Sequence, residues 1–223
     1  MTRVLVLAAH PDDEVLGMGG TIALHVARDD DVRIVCVTDG SSTQYPGDTA
    51  LRERKADEAK RAAAELGVED YVHLSLPDMR LDTLAHVDVN RPVEEQLGDF
   101  RPSVVYTPHP DVNLDHRALF DSACVATRPV PGQVVRRVLT YAPMSSTEWT
   151  PAGRNWFVPN WFVDVTETME RKLAAFARYE TERRDYPHPR SARALEAYAR
   201  FYGSSVGCEF AEPFVLVRGL EPT

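Results

Sequence analysis

Short apolar runs alternate along the chain with longer segments in which apolar and polar residues repeat at helical spacing. The short runs predict strands, and the Ala- and charge-rich segments between them predict helices. The predicted strands are residues 4–9, 33–38, 71–76, 104–107 and 134–141. The predicted helices are residues 15–27, 51–66, 84–97 and 115–127. Strands that alternate with helices indicate βαβ units and a mostly parallel sheet.

The pattern changes after Tyr141. Residues 142–161 are rich in Pro, Ser, Thr and aromatic residues, and they include all three tryptophans. The remaining pattern predicts strands over 162–165 and 214–217 and helices over 166–182 and 192–202. Because no linker-like segment precedes this region, we expect a single domain over residues 1–223. It would consist of a core over 1–141 and an extension over 142–223 that packs on the same sheet.

Composition and charge narrow the functional class. The net charge of −9 argues against nucleic acid, because phosphate binding needs a basic face. It also argues against attachment to anionic lipid, and no apolar run approaches the roughly 20 residues of a membrane span. We expect no secretory signal, because no basic segment followed by a long apolar stretch opens the chain. Cys36, Cys124 and Cys208 are scattered in apolar contexts, which indicates free thiols, a reducing compartment and a cytoplasmic protein.

A polar cluster, residues 10–14, follows the first predicted strand at once. In open α/β sheets, ligands bind outside the carboxyl ends of the strands. Helix capping would explain one acid here, but it does not explain a histidine beside two adjacent carboxylates. His10 and Asp13 are three residues apart across a tight turn, so both side chains can reach one metal ion. Asp12 would then face the open side of that ion.

A second cluster, residues 109–117, follows the fourth predicted strand. The first and fourth strands are commonly neighbours in a doubly wound sheet, so the two clusters would face each other across one crevice. His116, at the start of the next helix, can supply a third ligand. Two histidines, one carboxylate and water form a catalytic zinc arrangement with an open position. The same set also suits Fe²⁺ or another divalent metal.

Residues 9–14, Ala-His-Pro-Asp-Asp-Glu, together with the motif that ends at His116, resemble the signature of the PIG-L/LmbE-like zinc-dependent de-N-acetylases. The resemblance implies a Rossmann-like three-layer α/β sandwich with a mostly parallel sheet and a C-terminal extension packed on it. It also implies that His10, Asp13 and His116 bind zinc and that Asp12 is the general base. The resemblance extends over nearly the whole chain.

One position departs from the family pattern. Many members carry a histidine three residues before the last ligand, where it stabilises the oxyanion or protonates the leaving group, and this chain has Asn113 there. An Asn amide can donate a hydrogen bond but cannot deliver a proton at neutral pH. His109 could take over the missing role, or protonated Asp12 could return its proton to the amine. The resemblance further implies that Arg52 and Asp78 contact substrate, although Asp78 could instead be a plain turn residue.

The sequence therefore predicts a metal-dependent amidohydrolase that removes an N-acetyl group from an amino sugar or glycoconjugate. One alternative is the same chemistry on a non-sugar amide, such as a thiol conjugate or an antibiotic intermediate. Another is a Rossmann-like binding protein without catalysis. The loops 41–50 and 143–160 are expected to form the rim of the site. The sequence does not determine the oligomeric state, and a homo-oligomer is one of the possibilities.

Overall fold

The apolar run near the N-terminus forms an inner strand of a seven-stranded sheet. The computed structural model of the protein describes residues 1–221. Its strands are β1 (Arg3–Ala8), β2 (Asp31–Thr38), β3 (Asp70–Leu76), β4 (Val104–Pro108), β5 (Arg137–Tyr141), β6 (Trp161–Asp164) and β7 (Ala211–Gly219). Its α-helices are α1 (Asp13–Ala27), α2 (Thr49–Leu66), α3 (His86–Phe100), α4 (Leu114–Ala126), α5 (Met169–Phe176) and α6 (Ala192–Val206). The strand order in the sheet is β3-β2-β1-β4-β5-β7-β6.

Alternate side chains of β1 enter two separate hydrophobic cores. Val4 and Val6 pack with residues of α1, α2 and α5 on one face of the sheet. Leu5 and Leu7 pack with residues of α3 and α4 on the other face. A strand that is buried on both faces must be apolar at every position, which explains the unbroken run in the sequence. This three-layer arrangement confirms the predicted fold class.

The central strands bring the two polar clusters to the same edge of the sheet. β1 pairs in parallel with β2 and with β4, with Val4 opposite Val104 and Val6 opposite Tyr106. β4 in turn pairs in parallel with β5. The carboxyl ends of β1 and β4 therefore lie side by side, as the sequence predicts, and the segments that follow them leave the sheet together.

The extension continues the sheet instead of forming a layer of its own. β7 pairs antiparallel with β5 and with β6. Glu212 of β7 is buried and accepts hydrogen bonds from the backbone N–H groups of Gly20 and Thr21 at 3.0 and 2.7 Å, and Lys172 Nζ lies 2.6 Å from it. These contacts connect β7, α1 and α5. The division of the chain into a core and an extension stays a prediction.

The helix predicted over residues 166–182 is wrong in length, since α5 covers only Met169–Phe176. Beyond Phe176 two side chains turn toward the edge of the sheet. The Tyr179 hydroxyl donates to Glu14 at 2.6 Å, and Glu182 lies 2.6 Å from Lys55 Nζ. The chain leaves the helical path to make these contacts, so tertiary interactions override the local pattern. The strand predicted over 134–141 is also shorter, because β5 begins at Arg137.

No helix within residues 1–221 combines the length and the apolar character that crossing a membrane requires.

Glycine residues allow the buried helix α1 to pack closely against its neighbours. A Cβ atom added to Gly20 would lie 2.8 Å from Val165 Cβ, so this side of α1 approaches the extension more closely than a side chain allows.

We expect Gly20→Ala to lower the free energy of unfolding by roughly 1–3 kcal/mol, because the added methyl group overpacks the contact with Val165. Gly98→Ala in α3 is the matched control, since none of the described residues outside its own helix would come within 4 Å of the new Cβ. That variant should be neutral or more stable by up to about 1 kcal/mol. Urea unfolding measures both changes, and equal stability of the two variants would contradict the packing argument.

Candidate active site

Three side chains from the two clusters meet at one carboxylate oxygen. His10 lies just beyond β1, Asp13 begins α1 and His116 lies in the first turn of α4. Asp13 Oδ2 is 3.2 Å from His10 Nδ1 and 3.3 Å from His116 Nε2. Candidate ligand atoms of these three residues all lie within 4.8 Å of one another. The structure therefore brings together the three residues that the sequence predicts as metal ligands.

The turn between β1 and α1 is tight and strained. Asp12 has φ 111° and ψ −25°, a left-handed backbone conformation that residues other than glycine rarely adopt. Two hydrogen bonds close the turn: the His10 N–H donates to Asp13 Oδ2 at 2.8 Å, and the Asp13 N–H donates to the His10 carbonyl at 3.3 Å. Asp12 occupies the N-cap position of α1, but within the described residues its side chain accepts no capping hydrogen bond. Helix capping therefore does not explain this residue.

The other ring nitrogen of each imidazole contacts a further carboxylate. His116 Nδ1 lies 3.0 Å from both carboxylate oxygens of Asp111, and His10 Nε2 lies 3.1 Å from Asp115 Oδ2. Such partners fix the tautomer and the orientation of histidines that bind metals. The sequence analysis assigns no role to Asp111 or Asp115, although both precede His116 in the second motif. Their closeness to His116 along the chain was the sequence signal for these contacts.

The charges in this cluster are strongly interdependent. Burial works to raise the pKa of Asp13, yet His116 and His10 hold it well below its usual range. Burial works to lower the pKa of His116, but Asp13 and Asp111 raise it to about 9. The pKa of His10 is likewise raised well above its usual value, because Asp13 and Asp115 outweigh the effect of burial. The neighbouring carboxylates thus favour the protonated form of both imidazoles.

The residues present fit a divalent metal ion. His116 Nε2 is buried and has no hydrogen-bond partner among residues 1–221, and it faces the same oxygen as His10 Nδ1. A buried polar atom without a partner is costly, and a metal would satisfy it. Two imidazoles and one carboxylate leave a further coordination position open.

Asp12 lies beside the cluster in the wall of an open cavity that Asp78 and Asn113 also line. Its side chain is buried, and neither carboxylate oxygen has a hydrogen-bond partner in the described part of the chain. Burial raises the pKa of Asp12 well above its usual range, while the nearby Arg190 guanidinium opposes that rise. A carboxylate with free lone pairs next to the candidate metal position can accept a proton from a bound water molecule.

Asn113 has a fixed orientation because it caps α4. Its Oδ1 accepts the Asp115 N–H at 2.9 Å, so the oxygen is directed at the helix and Nδ2 is the group left to donate. Nδ2 has one weak contact, with Met79 Sδ at 3.8 Å. Asn is favoured at helix N-caps because its side-chain oxygen accepts this hydrogen bond. With the oxygen engaged in this way, Nδ2 is the atom of Asn113 that is left to donate on the cavity side.

Two predicted site residues are not among the described residues that line this cavity, and their roles stay predictions. His109 is not among the described residues that line the cavity; its ring nitrogens lie 3.2 Å from Thr140 Oγ1 and 2.9 Å from the Asn155 carbonyl oxygen. Arg52 is partly exposed outside the cavity lining, with its Nε 3.7 Å from Asp39 Oδ2. Asp78 does line the cavity, with Oδ1 3.7 Å from His10 Nε2.

The fold and the cluster define an α/β protein of the Rossmann-like type with a candidate hydrolytic metal centre at the carboxyl ends of its central strands. Sequence comparison then gives the family. The pattern described as PIG-L, GlcNAc-PI de-N-acetylase, matches residues 5–127, which is more than half of the chain. The chain belongs to the PIG-L family, and this confirms the resemblance stated from the two motifs.

Several similar proteins are named as deacetylases of N-acetylated sugars. The diacetylchitobiose deacetylase of Thermococcus kodakarensis is 28% identical over 228 residues, which cover 98% of this chain and 84% of the relative. The 1D-myo-inositol 2-acetamido-2-deoxy-alpha-D-glucopyranoside deacetylase of Mycobacterium sp. strain KMS is 32% identical over 181 residues, 70% of this chain and 54% of that protein. The solved N,N′-diacetylchitobiose deacetylase of Pyrococcus horikoshii, in complex with an inhibitor, superposes with a TM-score of 0.78 at 25% identity and covers 98% of this chain and 84% of that one.

We expect Zn²⁺ binding at pH 7 to release protons, because the pKa of His116 is raised to about 9 and its imidazole must lose a proton to bind a cation. The apparent affinity should therefore rise as the pH is raised from 7 toward about 9. Isothermal titration calorimetry in two buffers of different ionisation enthalpy measures the number of protons released.

His116→Ala should bind far less zinc than the wild type, whereas His86→Ala, which removes an exposed histidine at the start of α3, should bind as the wild type does. Equal zinc content in all three proteins would show that the cluster is not the binding site.

Proposed function

We propose that this protein is a metal-dependent amidohydrolase that removes the N-acetyl group from an amino sugar or glycoconjugate, with His10, Asp13 and His116 as metal ligands. The observation that carries the proposal is Asp12, a strained and buried residue directly beside the cluster, whose carboxylate oxygens have no hydrogen-bond partner within the described residues. Family membership and the named activities of the relatives support the reaction class. Zinc is the metal we favour, with Fe²⁺ as the alternative.

The chain's own residues divide the work of amide hydrolysis. When bound, the divalent ion would lower the pKa of a water molecule toward roughly 7 and polarise the amide carbonyl. Asp12 accepts a proton from the attacking water. Asn113 donates a hydrogen bond from Nδ2 to the oxyanion that develops on the carbonyl oxygen. Asp111 and Asp115 keep His116 and His10 in the orientation that the metal requires.

Protonated Asp12 returns its proton to the leaving amine in this mechanism. Asn113 cannot do so, because an amide has no proton to give at neutral pH. The ring nitrogens of His109 already contact Thr140 Oγ1 and the Asn155 carbonyl oxygen. Burial raises the pKa of the Asp12 carboxyl above its usual range, which suits a group that must carry a proton for part of the cycle.

The sugar itself would be recognised at the cavity wall. Asp78 can accept hydrogen bonds from sugar hydroxyl groups, and Arg52 could contact a part of the substrate that projects beyond the cavity. The same chemistry on a non-sugar amide is the alternative, since acetamide hydrolysis needs only the cluster, Asp12 and Asn113. The described free cysteines accord with a cytoplasmic location, which we also propose.

The metal-loaded protein should release acetate from at least one member of a panel of N-acetylated sugars that includes N,N′-diacetylchitobiose, as measured by mass spectrometry of the products. Asp12→Asn should bind the metal as the wild type does and turn over at least about 100-fold more slowly, because Asn keeps the shape but cannot accept the proton. Near-wild-type turnover in that variant would remove Asp12 from the mechanism. No product from any sugar, but product from a thiol-conjugated acetamide, would favour the alternative substrate class.

Asn113→Asp should separate the two roles of this residue. Asp caps a helix as well as Asn does, so the stability of the protein should be unchanged. The variant lacks the amide donor and places a negative charge beside the oxyanion, so kcat should fall by roughly 10²–10³-fold. His109→Ala should lower kcat by a smaller factor than Asn113→Asp does. Full activity of Asn113→Asp would assign oxyanion stabilisation to another group.

A further inference from the structure

A row of alternating charges begins at Lys55 in α2 and ends at Asp12. Lys55 Nζ, from α2, lies 2.6 Å from Glu182 Oε1 and donates to the Gly40 carbonyl at 2.7 Å. The other oxygen of Glu182 lies 2.5 Å from a terminal nitrogen of Arg190. The Nε edge of Arg190 then faces Asp12, with Nε 3.5 Å from Oδ2. Two cations and two anions therefore alternate along one path that ends at the proposed base.

Arg190 is held in place from both ends of its side chain. Its backbone N–H donates to His188 Nδ1 at 3.0 Å, and its carbonyl accepts the Arg184 N–H at 2.9 Å. At the far end, the ion pair with Glu182 fixes one side of the guanidinium group. Because Lys55 engages the other oxygen of Glu182, that carboxylate has a fixed orientation as well. A guanidinium stays charged at any pH of interest, so this cation is permanent.

The contact between Arg190 and Asp12 is an ion pair without a hydrogen bond. Neither oxygen of Asp12 has a hydrogen-bond partner among residues 1–221, and Arg190 Nε also lacks one. A buried carboxylate without any cation would be very unfavourable, whereas a tight bidentate pair would occupy its lone pairs. At 3.5 Å the guanidinium supplies the charge and leaves the oxygens free to accept a proton.

We propose that Arg190 is a positioning residue for the reaction, which holds the Asp12 carboxylate toward the metal site through charge alone, and that Glu182 and Lys55 set its distance from Asp12. This inference rests on the proposed function, because it assigns Arg190 a role through the base. Arg190 lies between the helices predicted over residues 166–182 and 192–202. Its role depends on a contact between residues 178 positions apart, which no local pattern contains.

Arg190→Gln should lower kcat for acetate release from N,N′-diacetylchitobiose by roughly 10–100-fold, because a small displacement of a catalytic group is costly. KM and the amount of bound zinc should change little, and Arg190→Lys should recover part of the rate. Glu182→Gln should also lower kcat, since a released guanidinium can hydrogen-bond Asp12 directly. Arg193→Gln is the matched control, because its guanidinium lies over the Tyr186 ring outside the cavity lining, and it should keep wild-type kinetics.

The deciding measurement is a double-mutant cycle with Asp12→Asn. If Arg190 acts through Asp12, then Arg190→Gln should have almost no further effect on kcat in the Asp12→Asn background. An equal effect in both backgrounds, a change in KM alone, or a loss of zinc would overturn the inference and leave the proposed function intact. A fully active Asp12→Asn variant would instead overturn the base assignment itself, and an absence of acetate from every sugar would overturn the proposed substrate class.

Discussion

One carboxylate oxygen organises the candidate site. Asp13 Oδ2 is approached by the backbone N–H of His10 and by one ring nitrogen each of His10 and His116. Two of these groups belong to the turn after β1, and the third belongs to the helix after β4. They can converge only because β1 and β4 are adjacent parallel strands that end at the same edge of the sheet. The parallel pairing is thus a requirement of the chemistry as well as of the fold.

The concentration of charge at this edge explains much of the surrounding structure. A buried acid or imidazole is tolerated only when it is paired, so each member of the cluster has a partner of opposite charge or a strong hydrogen bond. Asp111 and Asp115 supply these partners from the α4 side, and Thr147 from the loop after β5 donates its hydroxyl to Asp111 at 2.7 Å. Arg190 comes from the segment between α5 and α6. The site therefore combines side chains from distant parts of the chain.

Fold alone does not determine activity, because Rossmann-like sheets carry many functions at the same edge. What distinguishes this chain is a strained aspartate whose carboxylate oxygens have no hydrogen-bond partner among the described residues, next to three residues that could hold a metal. Strain and unpaired buried polar atoms both lower stability, and they persist where function requires them. The family match and the geometry thus support the same reaction class by independent routes.

The sequence by itself determined the order of strands and helices through the core, the parallel sheet, the family, and the grouping of His10, Asp13 and His116, because each depends on local periodicity or on a motif at a strand end. The length of α5, the cap that Asn113 forms on α4, the contacts of the His109 ring, and the path from Lys55 to Asp12 required the tertiary structure. These features arise from contacts between residues far apart in the chain, where the energy of pairing buried charges outweighs local preference. A motif can name the ligands of a site, but only the folded chain decides which distant side chains hold them in place.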